Sequence, residues 1–358
     1  MKRILKTILL LIVFLIIAAL AGTWYMFRQE LAITGSIRKY GDEHPFYTME
    51  FPEGYHLDEL LEKNISSDHE LSVFLTEYIS HGFYKADETP ETHIGCSTLS
   101  VMSEDGRHLW GRNFDWYYSV PVIVKATPKD SYASLSTCEF TNITGDASIL
   151  PEGTENSMLA VGAYFVPMDG INEKGLCVAE LEVNEGGQEL VDTEKKNITT
   201  TMAIRMILDK AATVDEAIAL LEQYDICPSG GISSHLSISD SSGKAVAAEF
   251  INGEIIVTPT NAVTNFNIHN GDISAGGESA ETRYTTLKNA YDEADGVMDV
   301  VGLTEALERA SQKEGQWSTK WTLIYENTGE GMDSLQATYY WDADYSKGYH
   351  IDQNLKPQ

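Results

Sequence analysis

At 358 residues the chain can bury a full core as one large domain or two smaller ones, and its 43% apolar and 22% charged residues are ordinary for a globular protein. The balance of charge is not ordinary: 25 Lys+Arg against 54 Asp+Glu leave a formal net charge of −29. Such a surface repels phosphate backbones and argues against nucleic acid as a partner.

The first residues read MKRILKTILLLIVFLIIAALAGTWYMFRQE, with 21 uncharged residues between Lys6 and Arg28. As a helix they would span about 31 Å, enough to cross a bilayer core. Lys2, Arg3 and Lys6 precede the run, which favours a cytoplasmic N-terminus and export of the rest. Ala19-Leu20-Ala21 also resembles a signal-peptidase site. Residues 1–27 are thus expected to be a signal anchor holding an extracytoplasmic protein to the membrane, or a signal peptide of a secreted one.

Residues 28–95 form the next region, a helical cap, linker or propeptide. From Asp42 to Gly95 it holds 13 acidic residues and only Lys63 and Lys85 as basic ones. HLDELLEKN and HELSVFLTEYISHGF have helical apolar spacing. After Cys96 the pattern turns to strands. TLSVMS and RHLWGRNFD flank Asp105-Gly106, a strong two-residue hairpin turn. VPVIVKAT, MLAVGAYFV, GLCVAELEV, HLSISD, AVAAEFI and EIIVTP follow as strand-like runs. TTMAIRMILDKAA and TVDEAIALLEQY read as helices, the second with a Thr213/Glu216 capping box. ETRYTTLKNAYDEA and LTEALERASQ are also helical, and STKWTLIYENTG and LQATYYWDAD close the chain as strands. Antiparallel strands with paired helices between them predict an α+β layered sandwich.

With Asp105 and Gly106 as the two loop residues, the hairpin register places Cys96 opposite Asp115. Arg112 then falls on the other face; for Arg112 and Asp115 both to serve Cys96, the strand must bend near Asn113-Phe114, or the partner must be the Cys96 backbone. Were the Gly95–Cys96 bond cut, Cys96 would carry a thiol and a free α-amine, whose usual pKa of about 7.7–8.0 suits a general base. Gly95, without a Cβ, could take the strained conformation that thiol attack on its own carbonyl needs. A buried strand cysteine followed by a surface Arg-Asp pair fits the residues as well.

Cys96 with GRNFDW beginning 15 residues later resembles the opening of the choloylglycine hydrolase family, N-terminal nucleophile hydrolases that cut linear amides. AVTNFNIHN and ESAETRYTTLKNA resemble two further segments of that family. The resemblance implies an αββα sandwich over 96–358 and cleavage between Gly95 and Cys96. It also implies Cys96 as nucleophile, Arg112 beside it, Asp115 on its amine, Asn265 as oxyanion donor and Arg283 as an electrostatic support. In DGINEKGLCVAELEV, which resembles a stretch ending Gly-Leu-Asn-Phe, Glu182 stands where the family commonly has an oxyanion-hole asparagine. An ionised carboxylate cannot donate, so Glu182 points elsewhere or the substrate class differs. Asn172 in the same stretch reads as a turn residue.

Trp116, Tyr117 and Tyr118 could line an acyl pocket or pack at a strand end, and the loop Gly271 to Ser279 is expected to border the pocket. His235 and His269 are alternative partners for Cys96. Cys138 and Cys227 could pair or simply be structural, whereas Cys177 reads as a core thiol. No zinc-ligand spacing occurs, and the chemistry implied needs no cofactor. The expected partners are a small N-acyl amide substrate and, through the N-terminal helix, the membrane. Acyl transfer to an amine, or a catalytically dead surface-anchored binding protein, are the rival readings.

Overall fold

The computed structural model describes residues 2–41, 45–52, 57–83, 95–186, 188, 193–315, 317–327 and 333–355. Two sheets lie face to face between two layers of helices. The larger has nine strands, in spatial order Arg38–Tyr40, Phe46–Phe51, Pro121–Ala126, Ser134–Glu139, Asp169–Asn172, Cys177–Glu182, Ser234–Ser239, Ala245–Ile251 and Glu254–Pro259. The smaller has six: Ala262–Val263, Gly95–Met102, His108–Trp116, Ser318–Asn327, Ser334–Trp341 and Asp344–Asn354.

Three cores separate the four layers, as strand alternation requires. Between the sheets lie Cys96, Trp110, Phe114, Ile171, Leu181 and Trp321. Outside the large sheet, Val122, Val178 and Leu236 pack on the helices Asp68–Ile79, Thr200–Lys210 and Val214–Leu221. Outside the small one, Leu99, Leu109 and Ile324 meet Glu278–Glu293 and Val300–Ala310. The helical expectations hold here, down to Thr213, whose hydroxyl accepts the Glu216 N–H.

Three expectations need correction. MLAVGAYFV is not a strand: it runs through the helix Gly153–Ala160 into the 3-10 turn Val161–Tyr164. Its Ala160, Val161, Ala163 and Tyr164 are all in the core, and a short run without polar residues carries no period to tell helix from strand. Region 28–95 is not only helical. HLDELLEKN and HELSVFLTEYISHGF do supply the helices Leu57–Leu61 and Asp68–Ile79, but Arg38–Tyr40 and Phe46–Phe51 are strands of the large sheet. Phe46–Phe51 pairs in parallel with Pro121–Ala126 and buries Phe46, Tyr47, Met49 and Phe51. Residues 84–94, which end this region, lie outside the described residues.

The third correction concerns the hairpin. Its loop has three residues, Glu104-Asp105-Gly106, closed by the Ser103 N–H on the Arg107 carbonyl at 2.8 Å. Gly106 takes the left-handed φ of 82° that such a loop needs. The extra loop residue shifts the pairing by one, so Cys96 faces Phe114 and Asp115 faces Gly95. A one-residue shift turns every side chain to the other face.

The N-terminal helix Lys2–Met26 contains a 24-residue stretch, Arg3–Met26, long and apolar enough to cross a membrane, and that stretch is exposed along its length.

Gly111 shows how tightly the helix layer is set. A Cβ there would collide with Leu307 Cδ1 and reach Leu303 Cδ1 at 3.5 Å. We expect Gly111→Ala to destabilise the protein by about 1–3 kcal/mol, as overpacking does. Denaturant unfolding checks it: an unchanged midpoint would mean that the helix Val300–Ala310 is free to move off the sheet.

Candidate active site

Alternation along His108–Trp116 sorts GRNFDW into two sets. Trp110, Arg112, Phe114 and Trp116 face the inter-sheet core with Cys96, and Gly111, Asn113 and Asp115 face the helices. No bend at Asn113-Phe114 is needed. Asn113 ties the layers together, its Nδ2 donating to the Leu307 carbonyl at 2.9 Å and its Oδ1 accepting from the Thr322 hydroxyl at 2.6 Å.

On the inner side, Arg112 Nη2 donates to Cys96 Sγ at 3.0 Å and to the Glu180 carbonyl at 2.8 Å. Its Nη1 donates to the Met168 carbonyl and to Asp169 Oδ2, both at 2.7 Å. Arg112, Cys96 and Asp169 are fully buried. Burial pushes the Cys96 thiol up to about 11, against the pull of the Arg112 charge and hydrogen bond. Burial works against the Arg112 charge too, but Cys96 and Asp169 together hold it above its usual range. Burial likewise raises Asp169, opposed by Arg112 and Tyr325. Leaving either member of such a buried ion pair alone costs about 3–5 kcal/mol, so the pair is intact wherever the fold is.

On the outer side, the two-residue strand Ala262–Val263 pairs with Leu99 and Thr98, which brings Asn265 level with Cys96. Asn265 Oδ1 accepts the Cys96 N–H at 3.0 Å and Arg283 Nη2 at 2.7 Å. Arg283, in the second turn of Glu278–Glu293, also donates through Nη1 to the Cys96 carbonyl and lies 3.2 Å from Asp115 Oδ2. Asp115 is completed by the Thr319 hydroxyl on Oδ1 at 2.6 Å and Gln312 Nε2 on Oδ2 at 2.8 Å. Burial raises the Asp115 carboxyl, with Arg283 as the chief opposing influence.

Cys96, Arg112, Asp115, Asn265 and Arg283 therefore meet in one place, at most 6% exposed. Gly95 begins its strand with ordinary extended backbone, not the expected strained one. Its missing Cβ serves close approach instead, since a Cβ would sit 3.2 Å from that of Asp115.

The Glu182 carbonyl joins this group, accepting Asn265 Nδ2 at 2.7 Å. Alternation along Cys177–Glu182 puts its side chain on the helix-facing side with Val178, while Leu181 faces the inter-sheet core. Asn172 is a turn residue, as expected; its Oδ1 accepts the N–H groups of Lys174 and Leu176, and its Nδ2 donates to the carbonyls of Leu208 and Ala211. His235 and His269 approach Glu249 rather than Cys96, at 3.9 and 3.4 Å. The loop Gly271 to Ser279 packs on the Asn265 backbone, where a Cβ on Gly276 would lie 2.7 Å from the carbonyl oxygen. Cys138, Cys177 and Cys227 are separate buried thiols, so the pairing of Cys138 with Cys227 is not formed. Trp116 is buried and stacks on Tyr117 at 4.9 Å; half-exposed Trp317 joins them, 5.4 Å from Trp116.

Sequence reasoning missed Asp169, Tyr325, Gln312, Thr319 and Trp317. Asp169 opens the stretch DGINEKGLCVAELEV already singled out, but nothing in the sequence tells which strand of one sheet faces Arg112 in the other.

A family model described as linear amide C–N hydrolases, choloylglycine hydrolase family, matches residues 96–288, more than half of the chain. The chain belongs to this family. Its members hydrolyse linear amides, and the match begins at Cys96 itself. Over 99 residues the chain is 33% identical to a penicillin V acylase from Pectobacterium atrosepticum, and this match covers 25% of this chain and 26% of that protein, about a quarter of its length. An arginine-to-leucine variant of the conjugated bile acid hydrolase from Clostridium perfringens superposes with a TM-score of 0.53 at 17% identity, covering 73% of this chain and 92% of that one. That likeness is one of fold. It agrees with the αββα layering.

Arg112→Lys tests whether this family site needs the planar fork or only the charge. An ammonium has no fixed geometry with which to serve two carbonyls, a carboxylate and a sulfur together. We expect amide hydrolysis to fall at least about 100-fold with the fold retained by circular dichroism. Near-normal turnover would show that charge alone suffices.

Proposed function

We propose that the protein hydrolyses N-acyl amides through Cys96, exposed as an N-terminal residue by cleavage of its own Gly95–Cys96 bond. The observation that carries this reading is the double grip on Cys96: Arg112 on its sulfur at 3.0 Å, and Asn265 and Arg283 on its backbone N–H and carbonyl, with Arg283 held in turn by Asp115. A structural cysteine needs neither.

In maturation the Cys96 sulfur attacks the Gly95 carbonyl carbon and the thiol proton passes to the leaving nitrogen. The peptide C–N bond breaks, leaving a thioester and a free α-amine, and water hydrolyses the thioester. In turnover the α-amine takes the thiol proton, and the sulfur attacks the substrate carbonyl carbon. We assign the second Nδ2 hydrogen of Asn265 to the oxyanion, a donation commonly worth about 3–4 kcal/mol of barrier. The protonated amine, held by Asp115, gives its proton to the departing nitrogen as the C–N bond breaks. Water then attacks the thioester, again losing a proton to the amine, and the acid leaves. The Glu182 carboxylate takes no part; its backbone carbonyl aims Asn265.

Trp116, Tyr117 and Tyr118, with Trp317, are proposed to receive an aromatic or lipid-like acyl group. The helix Arg3–Met26 would hold the enzyme on the outer side of a membrane. Because Phe46–Phe51 lies inside the large sheet, the segment before Cys96 should stay bound after the cut.

Intact-mass analysis and N-terminal sequencing test the proposal. We expect two chains that co-purify until denatured, the second starting at Cys96, a single uncut chain in Cys96→Ala, and slower processing in Cys96→Ser. An uncut wild-type chain that releases no amine from N-acyl compounds would overturn it.

A further inference from the structure

The guanidinium that touches the Cys96 sulfur is itself held by a second buried chain of groups. Arg112 Nη1 meets Asp169 Oδ2 at 2.7 Å, and the other oxygen, Asp169 Oδ1, accepts the Tyr325 hydroxyl at 2.7 Å. These contacts bridge the two sheets: Asp169 belongs to the large sheet, Arg112 and Tyr325 to the small one. Tyr325 is fixed in turn by its stack on Trp110, 5.8 Å between centroids. Arg112, Asp169 and Tyr325 are each at most 1% exposed. Of the four acceptors around Arg112, two are neutral carbonyls, one is the sulfur and only Asp169 is a carboxylate.

We propose that Asp169 and Tyr325 are positioning residues that set, through Arg112, how much positive charge the Cys96 sulfur feels. The inference rests on Cys96 being the nucleophile and adds what tunes it. Asp169 draws the guanidinium's charge away from the sulfur while fixing its direction. Tyr325, by donating to Asp169, shares that carboxylate and limits how much of the Arg112 charge it neutralises. The sulfur thus receives an oriented but moderated cation, which opposes the burial that holds it as a thiol and is weak enough to let the sulfur leave for a carbonyl carbon.

The charged and titratable groups around the thiol are Arg112 and Asp115 from its partner strand and Arg283 from the helix Glu278–Glu293. Around Asp169 they are Arg112, Tyr325, Cys177 and Tyr339. Burial, then Asp169, pushes the Tyr325 phenol well above its usual range, so it stays a donor throughout the accessible pH.

The two residues should therefore move the thiol in opposite directions. Asp169→Asn removes the competing anion and leaves the whole Arg112 charge to the sulfur, so Cys96 ionises at lower pH. Tyr325→Phe returns the carboxylate fully to Arg112, so Cys96 ionises at higher pH. The measurement is ultraviolet thiolate absorbance against pH for the processed protein, each variant corrected with the same variant carrying Cys96→Ser. The expected shifts are about one pH unit or more down for Asp169→Asn and up for Tyr325→Phe, about tenfold in thiolate fraction at fixed pH. The kcat for amide hydrolysis should fall in both, with KM little changed. Should Asp169→Asn fail to fold, Tyr325→Phe alone decides, because it removes one hydroxyl and leaves the ion pair in place. Unmoved midpoints, or shifts of the same sign, would overturn the inference and leave Asp169 and Tyr325 as fold-holding residues. Failure of the underlying reading looks different: Cys96→Ala would then keep its amide hydrolysis whatever the other variants do.

Discussion

Pairing Cys96 with Phe114 rather than Asp115 turns Arg112 to the same side of the sheet as the thiol and Asp115 to the other. From that setting the strand His108–Trp116 can serve one cysteine from both faces. Its even-numbered residues reach the side chain through the dry layer between the sheets. On the other face, beneath the helices, Asp115 holds Arg283, which donates to the Cys96 carbonyl. The loop Glu104-Asp105-Gly106 enforces this, and the left-handed φ at Gly106 is what lets a third residue fit there.

The rest of the fold supports that arrangement from outside. The large sheet supplies the acceptors that aim Arg112, from Met168, Asp169 and Glu180. The helices Glu278–Glu293 and Val300–Ala310, pressed onto Gly111 and fastened by Asn113, bring Arg283 and, just past the second helix, Gln312 to Asp115. Ala262–Val263 then sets Asn265 beside the Cys96 N–H. Arg112 and Asp115 share one strand and the other groups come from separate parts of the chain, yet each is held by hydrogen bonds in a place almost closed to water. Electrostatic interactions there are worth far more than at a surface.

Much of this was legible in the residues. Cys96 and GRNFDW, with the Asn265 and Arg283 segments, named the five groups that the structure brings together. The apolar helix, the capping at Thr213 and most strands after Cys96 followed from periodicity and turn chemistry. The register did not, because Asp105-Gly106 fits a two-residue and a three-residue loop equally well, and one residue inverts the faces. The helical nature of MLAVGAYFV was hidden for want of any polar face. Phe46–Phe51 escaped notice because its parallel partner Pro121–Ala126 lies some seventy residues away, and no local pattern announces such a pairing. Asp169 and Tyr325 were illegible for the same reason: they matter only through contacts between sheets.

We propose that the Cys96 sulfur, at a new N-terminus, carries the acyl group during turnover. Rapid acid quenching during turnover of a slow N-acyl substrate, followed by digestion and peptide mass mapping, measures this directly. We expect an acyl thioester on a peptide that begins at Cys96, absent from Cys96→Ala. An acyl adduct on any other residue, or hydrolysis that persists in Cys96→Ala, would contradict it.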